Sequence, residues 1–369
     1  VSELGAAQTT VPVRHRGGQY PVVVSEGALE GLGAALGAVV APARVFLVTN
    51  PVVDALYGDA AAASLSRAGV SVTRLLIPDG EAHKHLETYA ALVDTLLSAG
   101  VERGTPIVAL GGGVTGDLVG FAGATVLRGV PVVQVPTTLL AMVDSAVGGK
   151  TGVNSLRGKN LIGAFHAPIL VYAGLATLRS LPEAELRSGL GEVVKHAMIC
   201  DDGLFERLEA AAGAPWSEAL LADMVVQSCR IKARIVSADE QEAGDRALLN
   251  YGHTVGHAIE AALGFGELRH GECVAIGIIA ESRWAAERGH APAAIALRAT
   301  ALIDALGFPT PPPRLSPSRL LEAVGYDKKL TRGTLATAIV NPLGSATLRR
   351  VGSAEVEVML RCIPGSSEE

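Results

Sequence analysis

From about residue 20 to residue 180, short apolar runs alternate with segments whose apolar residues recur at helical spacing. "RVFLVTN" (44–50), "VTRLLIPDGE" (72–81), "PIVALGGG" (106–113) and "PVVQVPTT" (131–138) read as strands. Each is rich in β-branched residues, as suits strands between helical layers. In "KHLETYAALVDTLLSAG", Leu86, Tyr89, Val93, Leu96 and Leu97 fall on a helical stripe, and Gly100 supplies a stop. This alternation predicts a mostly parallel sheet with helices on its faces. Beyond residue 182 the pattern changes to long Ala/Leu/Glu-rich segments without strand signals, from "LPEAELRSGLGEVVKHAMI" to "ECVAIGIIAESRWAAERG". The expectation is two domains: an α/β domain over 1–181 and an all-α domain over 182–369. The breaker-rich "GFPTPPPRLSPS" (307–318) reads as a surface connection.

Composition narrows the functional classes. The chain has 369 residues, 49% of them hydrophobic, enough to bury the cores of two domains. A formal net charge of -6 argues against non-specific attraction to nucleic acid or an acidic membrane surface, so any bound anion must be held by locally gathered bases. The four cysteines, Cys200, Cys229, Cys273 and Cys362, form no CxxC pair, which points away from a disulfide framework and from thiolate-bound zinc. A reducing cytoplasm fits this usage. No export segment and no run of ~18 to 20 apolar residues is present, so no membrane association is expected.

Two stretches carry candidate chemistry. "IVALGGGVTGDLVG" reads as strand, glycine turn and helix, and Gly111, Gly113 and Gly116 match the spacing GxGxxG. Glycine there lets the backbone approach a pyrophosphate, while the helix N-terminus offers unpaired N–H groups to its charge. The acidic ribose partner usual about 20 residues later is displaced: Asp117 comes at once and Asp144 late. "IPDGE" ahead of Lys84, and Thr137-Thr138, add polar groups at strand ends, where ligands collect in open α/β sheets. The second stretch is "LLNYGHTVGHAIE" (248–260), whose His253 and His257 are spaced to share a helix face as metal-binding pairs do. Glu192 and Lys195 in "GLGEVVKHA" lie one helical turn apart, a spacing that ordinarily marks a solvated ion pair. His270 opens a further helix in "RHGECVAIG". Nitrogen and oxygen donors without thiolates suit a catalytic zinc with room left for substrate oxygens.

With "DGEAHK", "GGGVTGD", "QVPTTLLAMVDSAVGGKTGVN", "GKNLIGAF", "GLGEVVKHA", "LLNYGHTVGHAIE" and "HGECVAIG" in this order, the chain closely resembles the 3-dehydroquinate synthases of the shikimate pathway over roughly residues 20 to 340. The resemblance implies an N-terminal Rossmann-like α/β domain and a C-terminal α-helical domain with the active site between them, usually in a homodimer. It implies a redox-neutral, NAD-dependent carbon–oxygen lyase that turns 3-deoxy-D-arabino-heptulosonate 7-phosphate into 3-dehydroquinate and phosphate. Carried over by motif, the ligands of Zn2+ (or Co2+) would be Glu192, His253 and His270, with His257 facing the substrate phosphate. NAD contacts implied are Asp79, Glu81, Lys84, the turn Gly113, Val114, Thr115, Gly116 and Asp117, then Thr137, Thr138, Asp144, Lys150, Lys159 and the segment Thr177, Leu178, Arg179 and Ser180. Substrate contacts implied are Arg128, Lys150, Asn160, Lys195, Lys232, Arg246, Asn250, His257 and one of Lys328 or Lys329. Two places depart from the family pattern, Leu330 after "DKK" and Thr115 in the glycine turn.

These residue types suit the chemistry. A guanidinium fork matches a carboxylate with two parallel hydrogen bonds, which selects Arg246 for that end of the substrate. Lys150, Asn160, Asn250, His257 and the lysine of "DKK" suit the phosphate end, and Arg128 would reach it from a partner subunit. The nearest alternatives are an aminodehydroquinate synthase or another sugar phosphate cyclase of secondary metabolism. More distant is a metal-dependent polyol dehydrogenase, which would accumulate NADH as substrate is consumed.

Overall fold

The computed structural model describes residues 7–242, 244–264, 267–312, 319–320 and 334–365. Its contacts divide into two compact units. The first runs to Leu181 and takes in Glu218–Glu240; the second comprises Pro182–Ser217 and the residues from Gln241 onward.

The first unit is built on a seven-stranded sheet of β1 (Gln8–His15), β2 (Gly18–Ser25), β3 (Arg44–Thr49), β4 (Ser71–Leu76), β5 (Ile107–Gly111), β6 (Val132–Pro136) and β9 (Leu170–Gly174). The spatial order is β1-β2-β9-β6-β5-β3-β4. β1 pairs antiparallel with β2, and the other pairings are parallel. All four strands expected from the apolar runs are present. The interior strands read as continuous apolar runs because each face of the sheet carries its own core. Val45, Leu47, Val108 and Leu110 pack with Leu32, Leu36 and Leu65 on one side. Phe46, Val48, Ile107 and Ala109 pack with Leu92, Leu96 and Leu118 on the other. Residues of alternating parity point to opposite faces, so a strand with both faces covered needs apolar residues at every position. β4, at the sheet edge, has no fully buried residue.

The expected helix spans Leu86–Ser98 and stops at Gly100, whose φ of +72° suits a residue without a side chain. Its buried stripe is Thr88, Leu92 and Leu96, while Leu86 and Leu97 are exposed. A separate antiparallel hairpin, β7 (Lys150–Ser155) with β8 (Gly158–Phe165), follows β6 in sequence.

The second unit is mainly helical: Glu183–Cys200, Asp202–Ala211, His253–Leu263, His270–Glu287, Ala293–Ala305 and Ser353–Arg361. It also contains an antiparallel hairpin, β10 (Thr334–Val340) with β11 (Ala346–Gly352), which an all-α reading of this half did not include. One helix from the span 182–369 goes with the first unit instead. Helix Glu218–Ala238 lies along β1, where Ser237 Oγ accepts from the Arg14 N–H at 3.0 Å; just beyond the helix, Glu240 accepts from the Arg16 N–H at 2.8 Å. An edge strand leaves backbone donors open, and these side chains close two of them. Of the breaker-rich connection at 307–318, residues 313–318 lie outside the described residues. Among the described residues no helix is long and apolar enough to cross a membrane.

Candidate active site

In the first unit the polar groups gather around the carboxyl ends of β3, β5 and β6. Chain order along the sheet reverses between β3 and β5, since β4 adds on one side of β3 and β5 on the other. Such a switch point opens a crevice at the strand ends. β5 delivers Gly111 there, and Gly112, in extended conformation, begins helix Gly113–Thr125 with no side-chain cap. The first N–H groups of that helix have no intrahelical acceptor, and Gly112 has no side chain to cap them, which suits an anion. Close packing requires small residues here: a Cβ on Gly116 would lie 2.7 Å from Gln134 Oε1 and one on Gly120 2.4 Å from Thr151 Cγ2.

The neighbouring groups are held in place by one another. The Thr137 N–H donates to the Gly111 carbonyl at 2.9 Å, and Thr138 Oγ1 accepts from the Ala141 N–H at 3.2 Å. The chain then enters a wide π-type turn, Ala141–Ser145, that carries Asp144. Lys232 donates to the Asp144 carboxylate at 2.6 Å and also to its carbonyl. Lys84, 4% exposed, donates to Asp117 at 2.5 Å and to Asn160 Oδ1 at 2.6 Å. Burial pushes the Asp117 carboxyl above its ordinary range, against the opposing pull of Lys84. Asn50 donates to Asp79 at 2.8 Å, and Asn154 donates to Glu81 at 2.7 Å, with the Lys159 ammonium 3.9 Å from Glu81. Tyr57 fastens the far segment, its hydroxyl 3.1 Å from the Thr177 carbonyl and 2.6 Å from Ser180 Oγ. Leu178 is a core residue, and Arg179 pairs with Glu218 at the surface. Lys150 begins β7 and is exposed, as is Arg128, which has a left-handed φ of +68°. Asn50, Tyr57, Gln134 and Asn154 are positioning groups that the motif reading missed. Asn50 follows β3, Tyr57 lies in the turn Asp54–Gly58, and Gln134 and Asn154 lie within β6 and β7, so no shared spacing marks them.

In the second unit three helices converge. Glu192 lies fully buried on Glu183–Cys200; His253 and His270 are the first residues of their helices. Glycine makes the convergence possible. A Cβ on Gly271 would fall 1.8 Å from the Ser188 carbonyl oxygen, and one on Gly277 1.9 Å from that of Gly252. Gly252 also takes the left-handed conformation (φ 77°) that turns the chain into the His253 helix. Glu281, 1% exposed, caps this start by accepting from the Gly252 and Thr254 N–H groups at 3.0 and 3.1 Å.

Nε2 of His253 and Nε2 of His270 lie 3.5 and 3.6 Å from the same Glu192 oxygen. Ligand atoms of these three residues all fall within 4.8 Å of one another. The outer nitrogens face acceptors: His253 Nδ1 is 3.2 Å from the Tyr251 carbonyl and His270 Nδ1 is 3.5 Å from Glu260. Both rings can thus place the Nδ1 proton outward and the Nε2 lone pair inward. Among the described residues no well-aligned hydrogen-bond donor reaches either Glu192 oxygen, although the Lys195 ammonium is in ion-pair contact with the carboxylate. A buried carboxylate faced by two imidazole nitrogens, with a single ammonium behind it, fits a divalent cation of the zinc type. The Glu192–Lys195 pair, expected as a solvated pair on spacing alone, is 0% and 1% exposed.

The spacing reading that paired His253 with His257 is not what the geometry gathers. The ring of His257 stands edge-on to that of His253 with centroids 5.2 Å apart, and His257 groups with Glu260 and His270. Burial acts to raise the Glu192 pKa, but Lys195, His253 and His270 outweigh it and hold the carboxyl well below its usual value. Burial acts to lower the His270 pKa, yet Glu192 and Glu260 bring it up to about 9. Arg246 is buried in the turn Asp245–Asn250, and Asn250 donates to Glu242 at 2.9 Å. Lys328 and Lys329 lie outside the described residues.

Two family models match the chain, one described as 3-dehydroquinate synthase N-terminal over residues 74–188 and one as 3-dehydroquinate synthase C-terminal over residues 189–330. A 3-dehydroquinate synthase of Pelobacter propionicus is 46% identical over 318 residues, which is 86% of this chain and 89% of that protein. Among solved structures, a 2-deoxy-scyllo-inosose synthase complexed with carbaglucose-6-phosphate, NAD+ and Co2+ matches with a TM-score of 0.86 at 26% identity, covering 96% of this chain and 99% of that one. The 2-epi-5-epi-valiolone synthase of Streptomyces hygroscopicus subsp. jinggangensis 5008, with NAD+ and Zn2+ bound, matches with a TM-score of 0.84 at 30% identity, covering 93% and 96%.

Proposed function

The chain belongs to the 3-dehydroquinate synthase family, and on that premise we propose that it converts 3-deoxy-D-arabino-heptulosonate 7-phosphate into 3-dehydroquinate and phosphate with NAD and a divalent metal, Zn2+ or Co2+. The observation that carries the metal part is the fully buried Glu192 carboxylate, faced by Nε2 of His253 and of His270 at 3.5 and 3.6 Å. These three residues would hold the ion, and residues 1–181 would supply the NAD-binding groups. Bound there, a divalent ion would supply acidification of substrate hydroxyls and NAD a reversible hydride acceptor, so that no reduced coenzyme would accumulate.

The remaining work is done by the chain's own groups. Arg246 takes the substrate carboxylate through its guanidinium fork. Lys150, Asn160, Asn250 and His257 bind the phosphate, joined by Arg128 of a partner subunit and by Lys328 or Lys329. Held there, a phosphate oxygen sits where it can remove the neighbouring C–H proton during β-elimination, so placement substitutes for a strong base. Lys195 keeps Glu192 ionised and offers its ammonium to a substrate oxygen. On the coenzyme side, the uncapped helix start at Gly113, Val114 and Thr115 receives the pyrophosphate, with Gly116 allowing the close approach. Asp79, Glu81, Lys84, Asp117, Thr137, Thr138, Asp144, Lys159 and the Thr177–Ser180 segment, with Leu178 and Arg179, complete that pocket. Lys232 lies on substrate with its ammonium steadied by Asp144.

A homodimer is supported by three exposed apolar side chains, Leu156, Leu161 and Phe165, on or at the tip of the β7–β8 hairpin. The deciding assay follows phosphate release from the heptulosonate phosphate, with and without NAD and a chelator. Release that needs both cofactors, with no growth of NADH absorbance, is the expected result. Stoichiometric NADH, or a strong preference for the amino analogue of the substrate, would overturn the assignment.

A further inference from the structure

One residue of the 248–260 stretch has no part in the function above. Glu260 is 6% exposed and lies on helix His253–Leu263, one turn past His257 and two past His253, on the same face. We propose that Glu260 is the positioning carboxylate of the metal centre: it accepts the Nδ1–H of His270 and so turns Nε2 of that ring toward Glu192 and the ion. The proposal rests on the reading of Glu192, His253 and His270 as ligands.

The geometry distinguishes the two imidazoles. His270 spans two carboxylates, with Nδ1 3.5 Å from Glu260 and Nε2 3.6 Å from Glu192. His253 has the same inward nitrogen, but its Nδ1 faces the neutral carbonyl of Tyr251 at 3.2 Å. A carboxylate behind an imidazole fixes its tautomer and makes the inward nitrogen a stronger donor, more so than a carbonyl does. His270 is therefore the stronger nitrogen ligand, and it depends on Glu260.

The backbone at His270 needs no help from Glu260. Ser188 Oγ accepts from the Gly271 N–H at 3.1 Å, and Glu272 accepts from the Arg269 N–H at 2.9 Å while pairing with Arg187. What those bonds leave undetermined is the rotation of the ring, and that is what Glu260 sets. His257, Glu260 and His270 also come within 4.8 Å of one another, as a second cation cage would. That cage would claim Nδ1 of the ring whose Nε2 already serves the first ion.

The test uses the full chain, stripped of metal and titrated with zinc against a chromophoric chelator, as wild type, Glu260→Gln and Glu260→Ala. One zinc per chain is expected throughout, with affinity lowered about ten- to a hundredfold in Glu260→Ala and less in the isosteric Glu260→Gln, which retains an acceptor oxygen. Nitrogen NMR of the zinc-loaded wild type should show His270 with a protonated Nδ1, and that signal should be lost in Glu260→Ala. Unchanged zinc affinity in both variants overturns the proposal. So does a second zinc in the wild type that Glu260→Gln lacks, which would make the cluster a cation cage. A wild type that binds no zinc refutes the ligand reading itself, an outcome separate from equal binding by all three proteins.

Discussion

At the scale of single residues, His253 and His257 share a helix face but serve different partners. His253 is buried at a helix start beside Glu192, whereas His257 is half-buried and stands edge-on to it. His253→Ala should therefore abolish both metal retention and turnover, while His257→Ala should slow turnover and leave the metal bound, as measured by metal content after gel filtration. Loss of the metal in the second variant would reverse the assignment. Protons compete for the same nitrogens. In the metal-free protein His270 is raised from 6.5 to about 9. Its imidazolium therefore adds stability that is complete below pH 6.5 and is lost as pH rises through 9. A metal needs the neutral ring, so zinc affinity should climb with pH toward 9, and zinc uptake at pH 8 should release protons into a weakly buffered solution.

At the scale of elements, glycine decides how closely the helices of the second unit meet. The position of a Cβ on Gly271, 1.8 Å from a backbone oxygen of Ser188, cannot be relieved by rotating a side chain. Gly271→Ala should push His270 away from Glu192 and destabilise the fold by about 1–3 kcal/mol, in the range of other overpacked cores. Urea unfolding measures the stability loss, and a matching loss of zinc affinity would tie it to the site; a neutral result in both would show that the helices are free to shift. In the first unit Gly116 and Gly120 let helix Gly113–Thr125 approach the side chains of Gln134 and Thr151, contacts that a side-chain shift can relieve in part.

At the scale of the whole molecule, the chain is an acidic protein that handles an anionic substrate, so its bases must be placed rather than merely numerous. Several are buried and engaged by carboxylates or an amide: Lys195 with Glu192, Lys232 with Asp144, and Lys84 with Asp117 and Asn160. Arg128 differs in being exposed, which is why a second subunit is proposed to bring it to a phosphate. Sedimentation velocity should give twice the chain mass. Replacing Leu161 and Phe165 with serine should yield monomers with weakened substrate binding, whereas a monomeric wild type with full activity would remove Arg128 from the site.

Much of the first unit was legible in the chain itself. Strands covered on both faces must be apolar at every position, so "RVFLVTN" and "PIVALGGG" announce a layered sheet, and the glycine turn announces where that sheet opens. The ordered motifs likewise carried the family and, through it, the choice of Glu192 and His270 beside His253. Tertiary structure alone decided that helix Glu218–Ala238 covers the β1 edge, that a β10–β11 hairpin joins the helical unit, and that Glu192 and Lys195 are buried rather than solvated. It also brought Glu260 behind His270 and Glu281 beneath Gly252. Local periodicity records which face of an element is apolar, but what a polar side chain meets across a gap depends on the neighbouring element, and no spacing along one helix encodes that distance.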